Sequence, residues 1–479
     1  MSRRFRCKTI PSSWLENNGR RLDCGPYLSG GTEAKELLKK LRTQPLKELT
    51  TGHDGGIFNA PRFPRVYVDD PEHGVPFLGS TDILQADLSD VALLSKKQVA
   101  GNPALVLYEG WTLITRSGTI GRMAYARTDM EGMAGSEHFM RVAPNLSKVK
   151  SGYLYAYLSS RFGLPIVLSG TYGAIVQHIE PHHIAHLPVP RLAEIEDQAH
   201  ALVHRAASLR SDAANSITVA TEHMLQELGL PELKSSDVTK LGWSAISSSN
   251  LRRRLDAPFH SPAALEADEA VRNGRHPAER LSKVTNRLFK PPIFKRLWVD
   301  GPECGRQFVS GSDAYLYEAS ETRFVSNRTP NFEEFIVKRG WVIFQAAGKI
   351  YGLFGRPIFV SGWLEDIFCA DDLYRIVPKT EIDGAFIYLF LRTPHGRALV
   401  KRQASGNSIP RVWDPHMADF ELPWPGKSFR ERLAGPVIDA HDKIAKALKL
   451  QKQAIALVET AIEVGGVDGQ SRPHGLACQ

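Results

Sequence analysis

Cysteine is scarce and scattered in this chain. The five cysteines, Cys7, Cys24, Cys304, Cys369 and Cys478, include no Cys-x-x-Cys pair; neither a zinc knuckle nor a disulfide framework is suggested, and a reducing compartment fits. Long apolar runs are also missing. No stretch of about eighteen apolar residues occurs, and the basic start MSRRFRCKTIPSSW lacks the apolar core of a secretory signal, so the chain is expected to be cytoplasmic, with no membrane partner. Nucleotide-binding loops are absent as well. The turn Gly118-Thr119-Ile120-Gly121 has neither the four-residue gap and Lys-Ser/Thr of a Walker loop nor the third glycine of a dinucleotide fingerprint. It lacks the helical flanks of a Gly-x-x-Gly RNA clamp, because WTLIT and MAYA on either side read as strands. No glycine-rich cofactor strand or Asp-Pro-Pro-Tyr-like pocket of a DNA methyltransferase is found, since KPPIF has no acidic or amide residue before its prolines.

What is present is length, charge and repetition. At 479 residues with 42% hydrophobic content, the chain can bury more than one core. Its 60 Lys and Arg against 52 Asp and Glu leave a net charge of +8, which favours a polyanionic partner such as nucleic acid. The segment RRLDCGPYLSGGTEAKELL, with Arg21-Leu22-Asp23, returns as RRLDAPFHSPAALEADEAV, with Arg254-Leu255-Asp256. GWTLITRSG around Trp111 returns as GWVIFQAAG around Trp341, and YLYAYLSSRFG from Tyr153 as FIYLFLRTPHG from Phe386. GAIVQHIEPHHIAHLPVP returns in the degenerate form GNSIPRVWDPHMADFELPWP. Four matched segments in one order imply two homologous halves of roughly 230 residues.

Each half opens with β-branched and aromatic residues broken by Gly, Pro, Asn and Asp, which reads as short strands and turns. A short helix and a Leu-Pro-x-Pro motif follow, and the prolines are expected at the entrance of a closing long helix. In the first of these helices Leu192, Ile195, Ala199, Leu202, Ala206, Leu209 and Ala213 alternate at steps of three and four, as in a coiled-coil seam. Leu433, Val437, Ile444, Leu448, Ile455, Val458 and Ile462 form a comparable seam in the second. With a globular half between them, the two helices would pair antiparallel. The expected fold class is α+β, with a first recognition domain at 1–190, its helix at 191–230, a second domain at 231–425, its helix at 426–465 and a flexible tail at 466–479.

The glycine turn is copied with different chemistry. Gly348 and Ile350 stand where Gly118 and Ile120 do, but Arg116 becomes Ala346 and Thr119 becomes Lys349. A catalytic cradle does not normally survive such an exchange, whereas a hairpin displaying variable side chains does. Together, GWTLITRSGTIGRMAYA, RLDCGPY with RLDAPFH, and GAIVQHIEPHHIAHLPVP followed by a heptad helix resemble the specificity subunits of type I restriction-modification enzymes, over nearly the whole chain. The resemblance implies a noncatalytic protein that reads a split, asymmetric double-stranded DNA sequence with two recognition domains. It implies that the paired helices act as a ruler holding two adenine-methyltransferase subunits, with a motor-nuclease subunit in some complexes. S-adenosylmethionine, ATP and magnesium would then belong to partner subunits and no cofactor to this chain.

On such a surface Arg116, Ser117, Thr119 and Arg122 are candidates, because arginine reads guanine bidentately and hydroxyls anchor phosphates. Gln177 and His178 are candidates nearby. In the second half, KVTNRLFKPPIFKRLWVD places Lys283, Arg287, Lys290, Lys295 and Arg296 among Phe289, Phe294 and Trp298, a basic loop suited to tracking phosphates; Lys349 joins it from the turn. His178, His182, His183 and His186 invite a zinc reading, but the copy keeps only His416, so no metal is expected. The alternative is a single-chain, metal-dependent DNA endonuclease built on Asp366, Asp371 and Asp372 with Lys379, for which the first half offers no evident counterpart.

Overall fold

The computed structural model describes residues 7–17, 20, 22, 24–117, 120–170, 178–234, 245–248, 254–319, 322–350, 352–406 and 408–468. The chain divides into two compact units, Met1–Ser211 with Lys446–Gln479, and Asp212–Ala445.

In the first unit, β1 (Thr43–Pro45) and β10 (Pro188–Pro190) form a two-stranded ribbon. One antiparallel sheet has the order β2 (Ile57–Asn59), β9 (Phe139–Val142), β6 (Thr112–Thr115), β7 (Met123–Tyr125). Its inner strands, TLIT and FMRV, are buried along their whole length, so neither shows the alternation of a half-exposed strand. The other sheet runs β3 (Tyr67–Val68), β5 (Leu93–Ser95), β4 (Gly74–Leu78), β8 (Ala134–Gly135), with β4 and β8 parallel.

The second unit repeats this plan strand for strand. Its ribbon is β11 (Ala278–Arg280) with β20 (Glu421–Pro423). Its antiparallel sheet is β12 (Thr285–Phe289), β19 (Leu373–Pro378), β16 (Val342–Gln345), β17 (Pro357–Phe359). Its mixed sheet is β13 (Trp298–Val299), β15 (Phe324–Ser326), β14 (Gly305–Val309), β18 (Phe368–Cys369), again with one parallel pair, β14 with β18.

The short helices that recur in sequence recur for a steric reason. Ser160 and Thr393 each accept a hydrogen bond from the backbone N–H three residues on, at Gly163 and Gly396, both at 3.1 Å. A Cβ at either glycine would run into the carbonyl oxygen of Tyr157 or Phe390, so the turn between the two helices admits only glycine. In the first unit the Tyr153 and Tyr157 hydroxyls donate to the carbonyls of Pro190 and Pro188. Burial holds both phenols well above their ordinary pKa.

That docking bears on a correction. The Leu-Pro-x-Pro motifs contribute to short strands, Pro188–Pro190 and Glu421–Pro423, and the long helices begin later, at Glu194 and Lys427. A two-stranded ribbon tolerates proline because the missing N–H can face away from the partner. Arg191 then pairs with Glu196 at 2.9 Å, and the same carboxylate accepts the Leu192 N–H.

The two long helices span Glu194–Leu228 and Lys427–Asp468. In the first unit, Ala199, Val203 and Ala207 share a buried cluster with Ala454, Val458 and Ile462, and Ala206 and Leu209 share another with Ala447. In the second unit, Ala213, Ile217, Ala220, Met224 and Leu228 are buried with Leu433, Ala434, Val437 and Ala440, and Glu227 pairs with Arg432 at 2.7 Å. Early residues of one helix therefore meet late residues of the other, so the pair is antiparallel. Of the seam residues, Leu209, Val437, Leu448, Val458 and Ile462 are buried, while Leu192, Ile195, Leu202, Ile444 and Ile455 are half-buried. The alanines widen the seam and let the backbones approach closely. Leu192 precedes the first helix, and the second runs through 466–468, where a tail was expected; 469–479 lie outside the described residues.

Each unit also hides one arginine that the pattern does not reveal. Arg141 and Arg375 are fully buried. Arg141 donates to the carbonyls of Gly135, Ser136 and Phe139, and Arg375 donates to those of Cys369, Ala370 and Leu373. Burial lowers the two guanidiniums to about 9 and about 10, so both remain charged at neutral pH. They staple the β8–β9 and β18–β19 corners in the same way.

Candidate nucleic-acid interface

The glycine turn of the first unit links β6 and β7, whose register runs from Thr112 opposite Tyr125 to Ile114 opposite Met123. Gly121 has a φ of +82°, a conformation that glycine adopts without strain. Around this hairpin the chain brings distant segments together. The Arg116 guanidinium donates to the Ile179 carbonyl at 3.1 Å, to the Glu137 carbonyl at 3.2 Å and to the Glu180 carboxylate. Glu180 also accepts from Asn59 Nδ2 at 3.0 Å and caps the helix Pro181–Ile184, in a capping box with His183. Ser117 Oγ lies 3.0 Å from His138 Nδ1 and pairs by backbone with His178. Arg122 is half-buried; its backbone N–H donates to Thr115 at 3.0 Å, and its guanidinium has no partner among the described residues.

These contacts revise the role expected for Arg116. With three protein acceptors and a side chain only 15% exposed, it locks the turn to the segment before the Pro-His helix. Arg122 and Ser117 remain at the surface of the turn. Thr119 and Gln177 lie outside the described residues.

The second unit builds the same junction from different residues. Ala346 replaces Arg116 and is fully buried; its N–H donates to Asp372 at 2.8 Å, as that of Arg116 does to His138 at 3.1 Å. Its carbonyl accepts from Val412 at 2.9 Å, as that of Arg116 accepts from Ile179 at 3.3 Å. Ala347 pairs with Arg411 where Ser117 pairs with His178. Asp414 stands for Glu180: burial raises its pKa, and the neighbouring Lys290 and Tyr374 act in the opposite sense. Lys349 is exposed on the turn.

The junctions expose a match that the sequence reading passed over. NAPRFPRVYVDDPEHGVPFLGSTD from Asn59 aligns without a gap on KPPIFKRLWVDGPECGRQFVSGSD from Lys290. The basic loop of the second half thus has a counterpart in the first, carrying Arg62 and Arg65. Arg65 lies 5.2 Å from the Phe77 ring and Arg296 lies 5.3 Å from that of Phe308. Arg65 pairs with Glu137 at 2.7 Å. Burial opposes ionisation of Glu137, but its own backbone N–H and Arg65 prevail and keep its pKa below the ordinary value.

The backbone bonds of Arg116 to His138 and of Ala346 to Asp372 align the acidic pair with a segment of the first unit that carries one acid and one histidine. Glu137 and His138 occupy the places of Asp371 and Asp372. Asp372 is half-buried, and burial followed by the neighbouring Asp371 charge raises its pKa, with Arg296 acting in the opposite sense. Asp366 is committed to Lys338 at 2.6 Å, and Lys379 donates to the Lys283 carbonyl at 2.6 Å. Among the described residues, no group of three or more His, Cys, Asp or Glu is placed to hold a metal ion. In the histidine cluster, His183 Nδ1 accepts the Glu180 N–H at 3.0 Å and His186 lies 3.5 Å from Lys47.

The remaining basic candidates divide into two groups. Lys283 pairs with Glu279 at 3.6 Å, and Arg287 pairs with Glu334 at 2.6 Å while lying 3.8 Å from the centre of the Phe289 ring. Lys290, Lys295 and Arg296 follow β12 in an irregular stretch, with Lys295 and Arg296 exposed. The aromatics there mainly hold the loop down: Phe289 is buried, and Phe294 packs on Phe308, Phe335 and Phe368.

No family model matches this chain, and no curated protein does. Among solved structures it is similar to the S subunit of the type I restriction-modification system of M. genitalium, at 12% identity and a TM-score of 0.32, covering 88% of this chain and 95% of that one. It is similar also to the HsdS subunit from Thermoanaerobacter tengcongensis, at 12% identity and a TM-score of 0.27, covering 88% and 96%. A third similar chain comes from work on complex assembly and conformational transition of the type I R-M system, at 12% identity and a TM-score of 0.27, covering 88% and 97%. No helix among the described residues is long and apolar enough to cross a membrane.

Proposed function

We propose that this chain is the DNA-recognition subunit of a type I restriction-modification or related defence complex, and that it reads a bipartite, asymmetric sequence with one half-site per unit. One observation carries the reading: both units hold the same loop, turn and Pro-His segment on the same sheets, yet the turn side chains differ, Arg116 and Ser117 against Ala346 and Ala347. A duplicated scaffold with divergent tips suits the reading of two different half-sites, whose contacts multiply in specificity. The antiparallel helices would act as the ruler between the half-sites, and two adenine-methyltransferase subunits would dock on the protein. S-adenosylmethionine, ATP and magnesium would be carried by those subunits and by a motor-nuclease where one is present. The net charge of +8 supports the polyanionic partner.

The test uses the purified full chain with and without its methyltransferase subunit. The chain alone is expected to bind DNA weakly and to transfer no methyl group. The pair is expected to bind tightly and methylate one bipartite site. Metal-dependent cleavage by the chain alone would overturn the proposal in favour of an endonuclease, with Asp371→Ala and Asp372→Ala as the variants to make next.

A further inference from the structure

Along 409–413 the chain alternates strictly: Ile409, Arg411 and Trp413 are exposed, while Pro410 and Val412 are buried. Ile409 is 57% exposed and Trp413 is 54% exposed. Single exposed apolar side chains are ordinary on a protein surface. Two of them flanking an arginine on one face of an extended segment are not. The backbone beneath is fixed from both sides. Arg411 exchanges hydrogen bonds with Ser405 at 2.8 and 2.9 Å, Val412 donates to Ala346 at 2.9 Å and Gly348 donates to Pro410 at 3.2 Å. The His416 N–H donates to the Trp413 carbonyl at 3.0 Å. A rigid backbone therefore presents three outward side chains.

We propose that Ile409, Arg411 and Trp413 read bases in the second half-site, Arg411 by hydrogen bonds to a guanine and its two neighbours by packing on thymine methyl groups in the major groove. This rests on the DNA-reading function proposed above. An extended chain rises about 3.3 Å per residue, so alternate side chains stand roughly 6.6 Å apart, close to two base pairs at about 3.4 Å each. In a stacked duplex the bases show only their edges, and the thymine methyl is the apolar group on those edges. Lys349 on the adjoining turn and the Lys290–Arg296 loop give the surface the charge that a phosphate backbone requires.

The first unit has no sequence counterpart of Trp413. There, buried Ile179, the counterpart of Val412, is followed directly by Glu180, whereas Trp413 is interposed before Asp414. The extra residue is the exposed tryptophan, so the thymine-methyl contact assigned to it belongs to the second half-site.

The experiment takes the full complex on its mapped target and replaces each thymine of the second half-site by deoxyuridine, which removes only the methyl group. Two thymine positions, one on each side of a G·C pair and about two base pairs from it, should each weaken binding roughly three- to fivefold, the worth of one buried methyl. Trp413→Ala should abolish one of these penalties and Ile409→Ala the other. Arg411→Ala should cost about ten- to a hundredfold in discrimination at the guanine. All three side chains are exposed, so binding to the first half-site should be unchanged in every variant and serves as the control for folding. A second half-site without thymine, or uracil penalties that survive both alanine changes, would overturn the inference. So would a rise in 2-aminopurine fluorescence that Trp413→Ala removes, since that signals insertion between bases. A complex with no sequence-selective binding at either half-site would instead refute the underlying DNA-reading function.

Discussion

Replacing Arg116 by alanine separates a residue that reads DNA from one that holds the reader in place. Its guanidinium serves the Glu180 carboxylate and two backbone carbonyls, and the two side chains are 15% and 26% exposed. Charge-assisted hydrogen bonds contribute about 1.5–3 kcal/mol each when buried. Water partly replaces them at this exposure, and Asn59 keeps Glu180 partnered, so the net loss is expected at about 2–4 kcal/mol. Hydrogen exchange of Thr112–Thr115 and Phe139–Val142 should accelerate accordingly, while the strands of the second unit should not change. Binding to the first half-site should weaken evenly across a library of variant sequences, because a loosened turn misplaces every contact at once. Arg122→Ala should do the reverse, leaving exchange unaltered and relaxing one base position by about 1–3 kcal/mol. If Arg116→Ala leaves exchange unchanged and relaxes a single base position, the positioning role is wrong and Arg116 reads that base.

Three further outcomes are expected. Duplicating one heptad between Ser211 and Asp212 and another between Ala445 and Lys446, where the units divide, adds roughly 10 Å of helix; methylation mapping should show a spacer longer by at most about three base pairs with both half-sites intact, and an unchanged spacer would remove the ruler. Lys295→Ala and, in the first unit, Arg62→Ala should each lower the slope of log affinity against log salt by about one with no change in sequence preference; an altered base preference would count against phosphate contact. Arg375→Met fills the volume but leaves the carbonyls of Cys369, Ala370 and Leu373 without a donor, so calorimetry should show the second unit destabilised by about 3–5 kcal/mol, and an unchanged transition would show that the staple is dispensable.

Much of the architecture was legible because it rests on periodicity. Steps of three and four marked the two long helices, and the apolar flanks of Gly118–Gly121 marked the β6–β7 hairpin. Long-range chemistry was not legible. Nothing near Arg116 in the chain signals that Glu180 will capture it, since the contact depends on how the hairpin meets the Pro-His helix. Arg141 and Arg375 sit among strand residues where a charge reads as exposed, and only the folded corner supplies their carbonyl acceptors. The Leu-Pro-x-Pro motif misled because proline suits both a helix entrance and an edge strand, and the pairing with Thr43–Pro45 decides between them. The correspondence of Asn59–Asp82 with Lys290–Asp313 is written in the sequence, but Arg62 and Arg65 are sparser than Lys290, Lys295 and Arg296 and do not mark a basic loop by themselves.

The most direct test of the central claim is a base-resolution methylome of the host with and without this gene. Two short specified sequences of different composition, separated by an unspecified gap of fixed length and adenine-methylated only when the gene is present, are the predicted result. An unchanged methylome in a host whose partner methyltransferase is active, or loss of a continuous motif without a gap, would contradict it.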